Sequence, residues 1–198
     1  MTSEPRRRLS SAERRAVILE AAGDLFGQAP YSEVPTQKIA DQSGSSQALI
    51  FHYFGSKAGL YSAWVDETMQ KLHNTIDAAL DELPPNTSSR DKVRTAVEIY
   101  LGHVQAQPLS WSLTRRGNDE PPEATNTRLE FQDQMFTKLM GLLDPQSRRG
   151  EFAIAGIFGF IDAACLEWVD NDCEADDYYS LLDAILGSLQ GALGDWGN

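Results

Sequence analysis

The sequence predicts an all-α protein with a small three-helix head, one long connecting helix and a larger helical-bundle body. Three observations predict it. Apolar residues recur at helical spacing in one segment after another, no period-2 pattern of a strand occurs, and the prolines fall between those segments.

In chain order, Ser10 precedes Glu13 by three residues, the spacing of a capping box, and starts the first helix. Val17, Ile18, Ala21, Ala22, Leu25 and Phe26 then carry it over about 11–27. Gln28 to Val34, with Pro30, is a connection. Pro35 suits a helix start, and Ile39 and Ala40 mark the buried side of a short second helix. Ser43-Gly44-Ser45 is a tight turn in which Gly44 adopts positive φ cheaply. A third short helix is expected from about Ser46 to Phe51, ended by His52 to Gly55, with Ser56 capping the fourth helix. That fourth helix runs from Lys57 to about Glu82, with Leu60, Trp64, Leu72, Ile76 and Leu80 near one face. At 1.5 Å per residue it is about 39 Å long, enough to link two bodies. Further helices are expected at about 90–106, 123–143, 147–170 and 175–193, separated by Pro108, Pro121-Pro122, Pro145 and an acidic turn. The division is a head over 1–56 and a body over 57–198.

Composition narrows the function classes. The longest apolar run, Phe152 to Leu166, is interrupted by Gly156, Gly159 and Asp162, so no membrane span is expected. Arg6-Arg7-Arg8 has no apolar stretch after it and is not a secretory leader, which predicts a cytoplasmic protein. Cys165 and Cys173 lack metal-ligand spacing and are read as a core cysteine and a loop cysteine. The acids Asp170, Asp172, Glu174 and Asp176 alternate as in a calcium loop. However, Ala175 stands where that loop needs glycine and Leu181 where it needs glutamate, so neither metal nor cofactor is expected. The formal net charge is -12, but it is unevenly distributed: residues 1–57 carry +1 and residues 58–198 carry -13. A basic leader on a neutral head would orient an acidic body away from DNA. The three arginines are either a minor-groove arm or a solvated leader.

Two short helices joined by a Gly-containing turn, the second led by small polar residues, form a helix-turn-helix pattern. A recognition helix must enter a major groove about 12 Å wide, so its leading residues must be small or hydrogen-bonding. Ser45, Ser46, Gln47 and Ala48 meet that demand. Gln47 can bond adenine through both amide atoms, and Ala48 permits close approach or meets a thymine methyl. Ile50 and Phe54 are assigned to the head's core. His52 is either a DNA contact or a plain surface histidine.

The run from Val34 to Lys57 (VPTQKIADQSGSSQALIFHYFGSK), with Leu25-Phe26 before it, resembles the head of the TetR family of repressors. The resemblance covers about residues 11–60. It implies that Thr36, Tyr53 and Lys57 hold backbone phosphates, and that Ser45, Ser46, Gln47, Ala48 and His52 face bases or adjacent phosphates. Phe51 lies on the same helix, where the family usually has a tyrosine. Ala48 replaces a frequent glycine, and Pro30 a glycine before Tyr31. The resemblance also implies double-stranded DNA with a palindromic operator as partner, a homodimer formed by the last two helices, and a small-molecule inducer that shifts the fourth helix.

In the body, helix 147–170 is apolar almost all round and must be covered on several sides. Gly156, Gly159, Phe160 and Ala163, with Leu182, Ile185 and Leu189 of the last helix, are the candidate dimer interface; burial within one monomer is the alternative. Trp64, Tyr100, His103, Trp111, Phe131, Met135 and Phe158 are candidate ligand contacts or ordinary core. Arg115 and Arg116 are read as a surface pair. No nucleophile–base pair stands out, and His52, His73 and His103 are scattered, so no catalysis is expected. A helical adaptor that never meets DNA is the competing reading.

Overall fold

The structure, a computed structural model, describes residues 9–117 and 120–194, so Arg6, Arg7 and Arg8 lie outside the described residues. Within them the fold is all-α, with no strand. The head comprises α1 (Ser11–Phe26), α2 (Thr36–Gln42) and α3 (Gln47–Phe54), with a short 3-10 turn at Tyr31–Glu33. The long helix α4 (Lys57–Asp81) comes next. The body adds α5 (Ser89–Ala106), α6 (Pro108–Arg115), α7 (Pro122–Leu143), α8 (Arg148–Asp170) and α9 (Tyr178–Leu193).

The starts of these helices obey local chemistry. The capping box at α1 forms in both directions: the Glu13 amide donates to Ser10 Oγ (3.2 Å) and the Ser10 amide to Glu13 Oε2 (2.7 Å). Ser46, Ser56, Ser88 and Ser147 cap α3, α4, α5 and α8 respectively through the hydroxyl. Gly44 has φ +59 in the α2–α3 turn, a left-handed conformation that glycine adopts without a Cβ penalty.

Three boundaries differ from the sequence expectation. The third helix continues to Phe54, because the positive-φ residue that ends it is Gly55 rather than anything near His52. Pro108 opens a helix instead of only separating two: proline's fixed φ and missing N–H suit a first turn, and it begins α6. The last helix proper begins at Tyr178, since Ala175–Asp177 forms a 3-10 turn.

Two cores share α4. The first gathers Ile18, Ala22 and Phe26 of α1, Ile39 and Ala40 of α2, Ile50 of α3, and Leu60, Val65, Leu72 and Ile76 of α4. The second packs Val97 and Leu101 of α5 and Trp111 of α6 against Ile157, Cys165 and Trp168 of α8 and Leu182, Ile185 and Leu186 of α9. Cys165 is a core thiol whose pKa burial pushes up to about 12, and Cys173 sits buried in the turn after α8.

By length and composition α8 is apolar enough to cross a membrane, in spite of its glycines and Asp162. Its packing places it in the bundle: Ile154, Ile157, Cys165 and Trp168 are buried, and Asp162 pairs with Arg115 of α6 (2.8 Å).

The α3–α4 corner is the tightest point of the head. Gly55 takes φ +75, Ser56 Oγ accepts from the Gly59 amide (2.9 Å), and a Cβ on Gly59 would stand 2.1 Å from the Phe54 carbonyl oxygen. Gly59→Ala forces backbone to move and is expected to destabilise the protein by about 1–3 kcal/mol, read as a lower Tm. Gly102→Ala, on an exposed face of α5 with open space around its Cβ, is expected to raise stability by about 0.4–1 kcal/mol.

Candidate functional site

The head presents α3 with its back buried and its leading edge outward. Ile50 is fully buried, while Ser46, Ala48, Phe51 and His52 are exposed and Ser45, Gln47 and Tyr53 half-buried. Ser46 Oγ is engaged in capping, accepting from the Leu49 amide (3.2 Å), and Ser45 Oγ donates to the Ser43 carbonyl (3.5 Å). Thr36 is the first residue of α2, half-buried, behind Pro35, which offers no side-chain cap. The Ser11 hydroxyl donates to Tyr53 Oη (3.2 Å), and the Tyr53 ring meets His52 edge-on at 5.4 Å. Lys57 Nζ lies 4.3 Å from the Tyr31 ring centroid and donates to the Ser32 carbonyl (3.3 Å), placing an ammonium at the start of α4. Phe54 is half-buried beneath the Arg15 guanidinium, 4.9 Å from its ring. Thr36, Gln47, Ala48, His52 and Lys57 thus belong to one small domain. Sequence reasoning passes over Gln37, whose side-chain carbonyl accepts from Gln47 Nε2 (2.6 Å).

The body holds a cavity of about 130 Å³ between α4, α5, α7 and α8. Tyr100, His103, Trp111, Phe131, Met135 and Phe158 line it, together with Met69, Leu72, Ile76 and Leu80 of α4. Trp64 does not. It stacks with Phe26 (5.7 Å) and Tyr61 (5.3 Å) and covers Gly23, whose Cβ would stand 2.8 Å from Trp64 Nε1. The cause is position: Trp64 lies about two turns before the α4 residues that reach the cavity, at the level of the head core.

One end of the cavity is polar. Arg115 Nε donates to Asp162 Oδ1 (2.8 Å) and its Nη2 to Tyr100 Oη (3.2 Å), which also accepts from Trp111 Nε1 (3.0 Å). Arg115 is therefore part of the cavity wall and not half of a surface pair; Arg116 alone turns outward, to Asp170. Arg128 beside it is bonded to Glu120 (3.1 Å). Burial, with the charges of Arg128 and Arg115, lowers the His103 pKa from its ordinary 6.5 to about 4. That imidazole is neutral at pH 7.

On α8 and α9 the sequence assignment of an interface divides. Gly156, Gly159, Phe160 and Ala163 lie on an exposed face with Phe152, which is 67% exposed. Leu182, Ile185 and Leu189 do not join it: they are at most 1% exposed, packed into the chain's own core, and Leu189 lines the cavity. A helix turns one face inward, and these leucines and this isoleucine occupy it. The outward residues of α9 are Tyr179, Ser180, Asp183, Ala184, Gly187, Gln190 and Gly191, and a Cβ on Gly156, Gly159, Gly187 or Gly191 meets nothing within 4 Å.

Comparison with known proteins bears on this arrangement. Residues 18–64 match the family model described as bacterial regulatory proteins, tetR family. The match covers the head alone, so it is the head that is similar to those of tetR-family regulators. The activator FasR of Mycolicibacterium smegmatis is 24% identical over 192 residues, 94% of this chain and 84% of that protein. The regulator RutR of Escherichia coli is 29% identical over 108 residues, and the chain spans about half of its length, 50%. Among solved structures, a tetR-family regulator from Streptomyces coelicolor superposes with a TM-score of 0.78 at 19% identity, covering 93% of this chain and 83% of that one. The regulator FadR of Bacillus subtilis, solved with stearoyl-CoA, superposes with a TM-score of 0.69 at 20% identity, covering 90% and 97%. The all-α fold with an N-terminal helix-turn-helix is thus that of TetR-family regulators.

In the body, His103 supplies a pH dependence. Its folded pKa is depressed, so the unfolded chain binds more protons between pH 4 and 6.5, and stability falls as pH drops through that window. One proton contributes a slope of at most about 1.4 kcal/mol per pH unit. His103→Phe is expected to flatten this part of a Tm-against-pH profile while leaving the profile above pH 7 parallel to the wild type.

Proposed function

We propose that this chain is a ligand-responsive transcriptional regulator, a homodimer that represses from a palindromic operator and leaves it when a small-molecule inducer enters the body. The observation that carries the reading is that one helix serves both ends. The cap Ser56 and Gly59 fix the first turn of α4 to α3, and Met69, Leu72, Ile76 and Leu80 of the same helix wall the cavity further along.

In this reading residues 1–56, with Lys57 at the start of α4, bind DNA, and the rest of 57–198 binds ligand and partner. Gln47 and Ala48 meet bases, with Ser45, Ser46, Phe51 and His52 around them, while Thr36, Tyr53 and Lys57 hold phosphates. The protein is not an enzyme and works in the cytoplasm without a cofactor. The ligand is an apolar molecule with a polar end. Leu72, Ile76, Met135 and Phe158 suit a hydrocarbon chain, and Tyr100, His103 and Arg115 suit its head. Support for that class comes from FadR, whose structure holds stearoyl-CoA. Pockets for drug-sized ligands run to about 300–1,000 Å³, so such a ligand must push the walls apart, and α4 is a wall. The homodimer forms through Gly156, Gly159, Phe160 and Ala163 of α8 with the outward face of α9, where small residues let two helix pairs approach closely.

Selection of bound duplexes from a random pool tests this directly. An inverted repeat is expected; recovery of no duplex at low salt would favour the adaptor reading. Lys57→Ala is expected to weaken binding about equally on all sequences and to reduce the slope of log K against log salt by about 1. Phe160→Glu is expected to give a monomer in sedimentation and to lose the two-site footprint, with the head still folded.

A further inference from the structure

Gln47 is not alone at the leading edge of α3. Its Nε2 donates to Gln37 Oε1 at 2.6 Å, and Gln37 Nε2 donates in turn to Asp41 Oδ1 at 2.7 Å. Gln37 is the second residue of α2, Asp41 lies one turn later on the same helix, and Gln47 is the first residue of α3. A three-member chain therefore spans the turn of the helix-turn-helix and ends on the side chain best suited to read a base.

The direction of that chain is fixed by chemistry. The Asp41 carboxylate only accepts hydrogen bonds, so the Gln37 amide must turn its NH2 towards it. The Gln37 carbonyl is then left facing α3, and it only accepts, so Gln47 must turn its own NH2 towards Gln37. With one N–H engaged, Gln47 retains its carbonyl oxygen and one further N–H. Adenine offers N7 as acceptor beside its N6 donor on the major-groove edge, and one donor and one acceptor of an amide match that pair. Guanine offers two acceptors, N7 and O6, and the carbonyl of an amide held in this orientation opposes one of them. A glutamine free to turn its amide donates to guanine or thymine as well. One held by a neighbour keeps a single N–H for such a contact and sets its carbonyl against any second acceptor.

We propose that Gln37 is a positioning residue for base specificity: through Asp41 it fixes the orientation of the Gln47 amide and so restricts one operator position to adenine. This rests on the DNA-binding reading of the head. It assigns Gln37 no base contact of its own, and it makes Asp41, an acidic residue on a DNA-facing head, the anchor of the chain.

The test is duplex selection with the full-length protein and four variants, combined with affinity measurements on operators changed at one base pair. In wild type, one position should prefer adenine. Gln47→Ala should flatten that position. Gln37→Ala should flatten the same position, reducing the adenine preference by about 5- to 10-fold, while affinity for non-specific duplex stays within about 2-fold. The double variant should add nothing to Gln47→Ala, since Gln37 acts only through Gln47. Asp41→Ala removes the anchor of the chain and should relax the same position in part, with no loss of affinity for non-specific duplex. Unchanged Tm values across the set exclude a loss of folding. A Gln37→Ala protein with the wild-type base distribution, or one weakened equally on all sequences, overturns the proposal and leaves the DNA-binding reading standing. A wild-type protein that selects no duplex overturns both.

Discussion

The close contact between Gly59 and the Phe54 carbonyl holds the rest of the structure in relation. A side chain at residue 59 would overlap that oxygen, so α3 and α4 meet backbone to backbone. Gly55 makes the reversal with positive φ, and Ser56 closes the first turn of α4. Backbone contacts have no rotamers with which to relax. The orientation of α3 is therefore a property of α4, and any change in α4 is carried into the head without loss.

Beyond that corner, α4 contributes Leu60 and Val65 to the head core and then Leu72 and Ile76, which face both that core and the cavity. The cavity's polar end is held by Arg115, Tyr100, Trp111 and Asp162, groups from α5, α6 and α8 that bind one another. That network resists displacement, since separating any member leaves a half-buried charge or hydroxyl without its partner. The opposite wall, α4, meets the cavity itself through apolar side chains, which slide more easily than hydrogen bonds break. Its polar ties, Asp77 to Lys138 and Tyr61 to Glu120, lead to α7 and the segment before it. A ligand that widens the cavity thus does so at the expense of the helix connected to the head. In the proposed regulator this asymmetry gives the inducer different affinities for two states, without which it would shift nothing.

Signals confined to a few residues are the ones legible in the sequence. The capping box of Ser10 and Glu13, the Gly44 turn and the Ser56 cap are each written within four residues, and the structure contains all three. Period and proline placement mark the helical segments, but Pro108 reads as a break because a proline marks a helix start and a helix stop with equal strength. The cavity is legible only in composition: large and polarisable residues of the middle helices mark it, yet Trp64 has the same composition and belongs to the head core. On α9, apolar periodicity finds the face that is buried in the chain's own core. The glycines at 187 and 191, four residues apart and so on one face, are the signal for the other side. Arg115 is misplaced for want of α6, the element that turns it inward. Gln37 needs geometry, since its partner lies across a turn whose path sequence does not give.

The proposed dimer would act through distance. A single short helix makes few base contacts, and two heads joined through the body bind as one unit only if both reach their half-sites together. At 1.5 Å per residue the stretch of α4 from Ile76 at the cavity back to Lys57 spans about 28 Å, so a tilt of about 10° at the cavity moves the head end by about 5 Å. That displacement is somewhat under half of the major-groove width of about 12 Å, enough to lift one recognition helix out of register while its partner stays seated. Binding then falls towards that of one head on an acidic body, which DNA repels. Neither head need change shape for this to happen, which is why a head closed so tightly at Gly59 is compatible with control from a distant cavity.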